Sequence, residues 1–429
     1  MSTASYTAAR WGPVRLWLAF ALLMLVMPRI FDSGLSITML SQMGIAIIAC
    51  LSYNILLGQG GMLSFGHAVY SGLGSFVAIH ALNAWCAASP ALPVSLVPLV
   101  GGVAGMGFAV LFGYVTTRKS GTIFAMITLG LAELVFAVSL MVPEFFGGEG
   151  GVSGNRVVGA PVLDVSFGPA VQVYYLIALY TLVCVVLMYA FTQTPLGRLL
   201  NAVRDNPERV EFIGYSPHRI RYTAFIIAGF FAGISGGLGA LNFEIVNAEV
   251  VGAARSGAYL LFTFLGGATF FFGPILGAVL MVLAFVMLSE LTKAWLLYLG
   301  ALFILMVMVA PGGLASVIML NLRVARHGKL RVLLPSYGLL ALSGAVFALG
   351  FSALVEMVYH RQLDAAMGPM LRFLGMALDT SSAAHWCGLL VYLVIGISGF
   401  EWSRRRFALR WDVQQKRLED ERLRADVAP

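Results

Sequence analysis

Residues 194–221 read TPLGRLLNAVRDNPERVEFIGYSPHRIR, the only long polar interruption in the middle of a chain that is otherwise mostly apolar. Three times in it a residue able to cap a helix precedes a proline: Thr194-Pro195, Asn206-Pro207 and Ser216-Pro217. A side-chain oxygen at the cap takes up an orphan amide, and proline at the first helical position has no amide to leave orphaned, so each pair predicts a helix start. The middle helix can run only from Pro207 to about Ile213, because Gly214 suits the left-handed residue that ends a helix and another start follows at once. Glu208, Arg209 and Glu211 give it a polar side, with Val210, Phe212 and Ile213 elsewhere. Two readings stand: a solvated loop, or a short docking helix, rigid at both ends, that passes force from a soluble partner into the flanking spans.

On either side of this stretch, composition fixes the class. Hydrophobic residues make up 59% of the 429, charged residues 11%, and mean hydropathy is +0.88. Soluble domains carry about a quarter charged residues. Apolar runs near the roughly 20 residues that cross a bilayer recur, and with no water to satisfy their backbones they must be helices. The expected fold is an all-α polytopic membrane protein of about 12 transmembrane helices. The candidate spans are 14–31, 35–57, 64–82, 93–115, 121–142, 171–191, 218–241, 257–270, 273–289, 294–310, 333–358 and 386–400. The pair 257–270 and 273–289 reads either as one kinked span or as two short ones.

Basic residues separate these alternatives, since they collect in cytoplasmic segments while acidic ones hardly affect topology. With the N-terminus inside and both short segments crossing, 21 of the 27 Lys and Arg fall on the inner side, leaving out Arg29, Arg156, Arg255, Lys293, Arg361 and Arg372. Merging the pair would put the Arg323–Arg331 cluster and the charged tail across the membrane from residues 194–221. Twelve crossings with both termini cytoplasmic is therefore the expected topology. The net charge of +7 is then cytoplasmic bias aided by anionic lipid, with no nucleic acid needed. Arg10 and Arg15 precede an apolar run with no clear cleavage site after it, which reads as a retained span. Cys50, Cys86, Cys184 and Cys387 are isolated and suggest neither a disulfide framework nor a metal site.

Two stretches break the apolar pattern: Asn54–Gly74, NILLGQGGMLSFGHAVYSGLG, and Leu265–Gly277, LGGATFFFGPILG. Each has Gly-Gly, a short run, Phe-Gly and then an apolar helix with a further glycine. Paired Gly-interrupted segments mark discontinuous helices near a solute path in transporters. Close helix packing accounts for Gly72, Gly74 and Gly277. The polar content of Gln59–His67 favours irregular backbone against a cavity. Asn54, Gln59, Gly61, Ser64, His67, Gly266 and Gly267 are the pathway candidates, joined by Glu133, the one carboxylate in the middle of a span. Glu133 reads either as a structural hydrogen-bond partner or as a transport group, and His67 either as a core residue or as a ligand. The external stretch 143–170 reads either as a lid or receptor contact or as a plain loop, and residues 401–429 as a solvated helical tail with Phe407, Trp411 and Leu418 at helical spacing. No metal-ligand spacing, nucleophile with a base, or GxxxxGK[ST] phosphate loop is present, so no cofactor is expected on this chain and no ATP hydrolysis by it.

The motifs resemble a known family. GQGGMLSFGHAVYSGLGSF (58–76) resembles the signature of LivM-type permeases of bacterial branched-chain amino acid ABC importers (the LivH/LivM family). TIFAMITLGLAEL (122–134) is similar to their fifth span, and GRLLNAVRDNPERVEFIGYSPHRIRYTAF (197–225) to their cytoplasmic coupling loop. LGGATFFFGPILGA (265–278) with Ala310-Pro311-Gly312-Gly313-Leu314 is similar to their C-terminal motifs, and the likeness runs from about Leu35 to Val317. It implies the ABC importer permease fold in the bacterial inner membrane, a second LivH-type permease, two ATPase subunits that bind ATP and Mg, and a periplasmic solute-binding protein. ATPase coupling then falls on Arg204, Asp205, Asn206, Glu208, Arg209, Glu211 and Gly214. The solute is a branched-chain amino acid or, as in related permeases, urea, a short amide or an aromatic acid. The implied division is an N-terminal span (1–34), a permease core (35–318) and an extension with two added spans and a charged tail (319–429). The rival reading is an ion-coupled secondary transporter or channel with Glu133 and His67 as a proton relay.

Overall fold

The helix Pro217–Phe243, α10, is the centre of the larger of two units, and small residues put it there. The computed structural model describes the backbone of residues 3–84, 93–157, 166–310, 312–326, 330–363, 368–373 and 375–427. Cys86, Pro311 and Met367 fall outside these residues, as do the side chains of Trp411 and Leu418. The chain divides into two units, 1–287 with 302–316 and 288–301 with 317–429.

The first unit holds α1 (Thr3–Ile30), α2 (Gly34–Asn54), which runs on into a π-helical turn (Ile55–Gln59), α3 (His67–Ala84), α4 (Val97–Thr116), α5 (Gly121–Met141) and the short α6 (Pro143–Phe146). It continues with α7 (Ala170–Gln193), α8 (Pro195–Asp205), α9 (Pro207–Phe212), α10 (Pro217–Phe243), α11 (Ala253–Gly266) and α12 (Gly273–Leu283). The glycines of α10 at 229, 233 and 237 recur every fourth residue and face those of α4 at 101 and 105, so the two backbones touch: a Cβ on Gly105 would lie 2.5 Å from the Gly229 carbonyl. In lipid, where apolar burial gives no drive between helices, close approach through small residues is what holds them together. Gly72, Gly74 and Gly277 do the same, against Val250 and Val251, Gly101, and the Phe262 carbonyl respectively.

Two helices of this unit start inside the bundle. After the π-turn the chain runs without helical structure through residues 60–66, and α3 begins alongside Ser52 of α2. After α10 it pairs β1 (Val152–Ser153) with β2 (Ile245–Val246), antiparallel with Val152 opposite Val246, turns inward through Ala248–Val251, and only then starts α11. The starts of α3 and α11 meet, where the Ala68 amide donates to Ser256 Oγ at 3.0 Å. At 14 residues, or about 21 Å, α11 is too short to cross a hydrocarbon core of roughly 30 Å.

At the end of α10 away from α8 and α9, Arg156 ties the outer connection down. Its side chain donates to the carbonyls of Phe167 (2.8 Å), Gly168 (3.2 Å), Leu241 (3.3 Å) and Asn242 (3.2 Å), and it pairs with Glu244 at 3.6 Å. A cation on the last carbonyls of a helix complements its dipole. Phe145 and Phe146 pack on Phe76, and His80 Nε2 bonds the Phe145 carbonyl at 2.7 Å. The described part of this connection is therefore packed onto the bundle.

The division between units falls between residues 287 and 288, just before α13 (Ser289–Leu291), and again within α14 (Trp295–Val309) and α15 (Gly313–Arg326). The second unit is built on α16 (Leu330–Leu363) and α17 (Ala383–Val427), joined through the hairpin of β3 (Met370–Phe373) and β4 (Met376–Asp379). Phe347 stacks on Phe400, Tyr337 meets Phe407, and Arg410 donates to Ser336 Oγ at 2.8 Å. At 34 and 45 residues both helices exceed what a bilayer requires.

Among the described residues eight helices are long and apolar enough to cross a membrane, or nine if the bent pair Trp295–Met308 and Gly313–Leu322 counts as one span. The other expected crossings hold shorter or less apolar helices: Trp17–Ile30 of α1, α3 and α11. The ambiguous pair is two helices, α11 and α12, separated by a turn at residues 267–272.

The glycine packing gives a paired test on α4. Gly105→Ala forces a methyl against the Gly229 carbonyl and the Gly233 Cα, whereas a Cβ on Gly107 meets nothing within 4 Å. Overpacking of this kind costs about 1–3 kcal/mol. Thermal melts of the detergent-purified protein followed by size-exclusion chromatography should show a clear fall for Gly105→Ala and none for Gly107→Ala.

Candidate functional site

The three predicted helix starts all occur, and two carry their caps. Thr194 Oγ1 accepts the Gly197 amide (3.2 Å) and Asn206 Oδ1 accepts the Arg209 amide (3.1 Å). Ser216 precedes α10 without a side-chain cap bond, so the third expected cap is absent. Gly214 takes a left-handed φ of +89°, the geometry that ends the short helix. Within α9, Val210 is the buried anchor, while Glu208, Arg209, Glu211 and, past its end, Ile213 are exposed and Phe212 is 89% exposed. A helix of six residues fixed at both ends, with a large aromatic and three charges outward, is shaped as a contact surface.

The neighbouring α8 faces the other way, into the first glycine-rich break. Arg204 Nη1 donates to the Gly58 carbonyl at 2.5 Å, and Asn201 Nδ2 donates to Gln59 Oε1 at 2.9 Å. Arg204 also pairs with Asp205 at 2.9 Å, and its Cγ would lie 2.7 Å from a Cβ on Gly61, whose φ is +63°. Gly61 is therefore required twice over, for its backbone conformation and for the room it leaves the arginine. Asn201 was not among the expected site residues. Its signal is the three-residue spacing from Arg204, which puts both on one face of α8.

Both breaks converge near Gly58. A Cβ there would collide with the Ala268 carbonyl of the 267–272 turn, and Gly267, at φ +112°, abuts Gly312 and Gly313. Gly266 touches the backbone of Gly273 and Gly277 at the same turn. The two stretches that share the Gly-Gly and Phe-Gly pattern thus lie side by side but differ in form: 60–66 leads into a helix that starts within the bundle, and 267–272 is a tight turn between two helices.

Further along the first break the backbone is satisfied by side chains. Tyr53 Oη donates to the Ser64 carbonyl (3.0 Å), and Thr128 Oγ1 accepts the Phe65 amide (3.1 Å). Ser64, His67 and Asn54 are buried, and Asn54 Oδ1 has no partner among the described residues. Ser52 gives its only proton to the Ala228 carbonyl (2.6 Å), so the His67 Nε2 that it meets at 3.0 Å is the donor, while His67 Nδ1 has no partner among the described residues. His67 is a sealed joint between α2, α3 and α10.

Glu133, read either as a structural hydrogen-bond partner or as a transport group, is not enclosed by the described residues of this chain. It stands on an exposed face of α5 beside Gly130 and Leu134 and makes no hydrogen bond or ion pair among the described residues. An evenly apolar helix does not reveal which side faces its own chain, and here the carboxylate is on the outer side. Arg255 departs in the opposite sense: counted with the external basic residues by span length, it lies in the first turn of α11, which starts inside the bundle. Among the described residues no group of three or more His, Cys, Asp or Glu is placed to hold a metal ion.

Residues 35–311 match the sequence profile of the family described as branched-chain amino acid transport system / permease component. The high-affinity branched-chain amino acid transport system permease protein LivM of Salmonella typhimurium is 29% identical over 297 residues, 63% of this chain and 67% of that protein. Its counterpart from Escherichia coli is 28% identical over 296 residues, with the same shares of both chains. No solved structure matches the chain significantly. The profile covers well over half of the sequence and takes in both glycine-rich breaks together with α8 and α9, and on that ground this multi-pass membrane protein belongs to the family of branched-chain amino acid transport permeases.

Proposed function

We propose that the chain is one permease subunit of an ABC importer for branched-chain amino acids, moved by ATPase subunits that dock on α9. The observation that carries this is the division of labour between α8 and α9. Residues Glu208, Arg209, Glu211 and Phe212 point outward, while Asn201 and Arg204, one helix earlier, grip Gln59 and Gly58. A push on α9 reaches the first break through two hydrogen bonds and the second through the Gly58–Ala268 contact.

In this reading α8 and α9 lie on the cytoplasmic side of the bacterial inner membrane, with both termini, and twelve crossings are reached by adding α1 and the two bundle-internal starts, α3 and α11, each with the extended segment before it, to the nine longer spans. The functional division is the N-terminal span, the core of residues 35–318 and the extension 319–429. Two ATPase subunits bind ATP and Mg, a LivH-type permease completes the membrane part, and a periplasmic protein delivers the solute. Glu133, exposed on α5, faces the partner permease or the path between the two. Gln59, Gly61, Ser64, Gly266 and Gly267 form the moving inner end of that path, with Asn54 and His67 packed behind it. A proton relay through His67 and Glu133 finds no support, because His67 is sealed against Ser52 while Glu133 faces outward.

Two substitutions test the coupling in the reconstituted complex. Replacing Glu211 and Phe212 by alanine removes the docking surface, and ATP-driven uptake should fall by about tenfold or more, as expected when charged contacts worth roughly 1.5–3 kcal/mol are lost. Unchanged uptake would show that the ATPase docks elsewhere. Arg204→Ala should separate the two activities, leaving ATP hydrolysis in place while uptake drops. Arg204→Lys, a point charge without the guanidinium fork, should recover only part of it; wild-type uptake in Arg204→Ala would remove the Gly58 link from the mechanism.

A further inference from the structure

Arg255 sits in the first turn of α11, inside the bundle, because Val250 and Val251 fold back against Gly72 of α3 before the helix starts. Its guanidinium makes one long hydrogen bond, and Glu249 is close enough to act on its charge without forming an ion pair with it. Nε lies 3.4 Å from Tyr259 Oη and the group is 5.8 Å from the Tyr259 ring centre, with no other hydrogen bond and no ion pair among the described residues. Charged groups within a membrane bundle are paired or face a polar cavity that serves transport. Arg255 lines a mostly apolar cavity, about 40 Å3 in volume, between α2, α3, α10 and α11.

Three buried serines share it: Ser71, Ser75 and Ser235. Each has committed its proton to its own helix, to the carbonyls of Ala68 (3.1 Å), Ser71 (2.9 Å) and Ala232 (2.9 Å). What these hydroxyls offer the cavity is lone pairs, while the arginine offers donors and positive charge. The cavity has room for a few atoms, and it is walled by Ile45, Phe243 and Ile245, the last two about half exposed.

We propose that Arg255 with Ser71, Ser75 and Ser235 forms a transient head-group site for an α-amino acid, the carboxylate on the guanidinium and the ammonium on the serine oxygens. The side chain lies toward Phe243 and Ile245. This deepens the reading of the chain as an amino acid importer subunit and rests on it. It also selects among solutes, because urea and amides lack the anion and aromatic acids lack the ammonium.

The test uses the membrane complex in nanodiscs, without the solute-binding protein, and reads the thermal unfolding midpoint with millimolar L-leucine, isocaproate (no ammonium), leucinamide (no carboxylate) or sodium chloride. Leucine should raise the midpoint by several degrees and the other three should not. Arg255→Gln should abolish the leucine shift and Arg255→Lys should keep part of it. Gly239→Val should abolish it too, since Gly239 lines the cavity and a Cβ on it meets nothing within 4 Å, so the added bulk enters the cavity. A wild-type leucine shift in Arg255→Gln and Gly239→Val, or an equal shift with chloride or isocaproate, overturns the proposal. If the complete importer takes up leucine but the wild-type melt is indifferent to it, the site is refuted and the importer reading survives. If the leucine shift depends on Arg255 but the importer moves no amino acid, the site stands and the transport reading falls.

Discussion

The Gly58 carbonyl cannot be left alone. It belongs to the last turn of a helix, where carbonyls lose their partners, and Gly58 itself is buried. The chain supplies that partner from 146 residues away, as the guanidinium of Arg204. A charged donor on a buried acceptor is among the stronger hydrogen bonds a protein makes, and it acts only over contact distance. Displacing α8 therefore means either moving Gly58 with it or breaking the bond, and the neighbouring Asn201–Gln59 bond imposes the same choice.

From that anchor the displacement meets backbone on backbone. Gly58 abuts Ala268, Gly267 abuts Gly312 and Gly313, and α10 lies on α4 with glycine facing glycine. Such contacts have no side chain to re-orient and take up strain, so a shift at one is passed to the next, as in close-packed interiors generally. The parts of the chain that look weakest by composition, its glycine-rich breaks, are where its elements are mechanically joined. On the far side, Arg156 fastens the outer connection to the last carbonyls of α10, so α10 is held at both ends.

The sequence was most informative where local chemistry acts alone. Cap-proline pairs marked α8, α9 and α10, and Gly214 marked the stop, because these signals involve neighbours in the chain. The missing bond at Ser216 shows the limit of that logic, since a capable residue in the right place need not turn its hydroxyl to the helix. Asn201 and Arg255 were missed for different reasons. An asparagine in mid-helix carries no local signature, and the inward fold at residues 244–252 lacks the glycine pattern that flagged residues 58–66, so length alone placed Arg255 beyond the bundle. Glu133 was found but not oriented, since hydropathy reports how apolar a span is and says nothing about which neighbour each side meets.

Under the proposed assembly, Glu133 has a consequence for how the subunit is handled before it has neighbours. In a solitary copy its carboxylate lies among acyl chains, and inserting such a group near the middle of a membrane helix costs about 2.5–3.5 kcal/mol on translocon scales. Once another protein surface or a hydrated path covers α5, the penalty disappears. The residue thus makes orphan copies less comfortable in lipid than assembled ones, a thermodynamic bias toward stoichiometric assembly that requires no dedicated recognition motif.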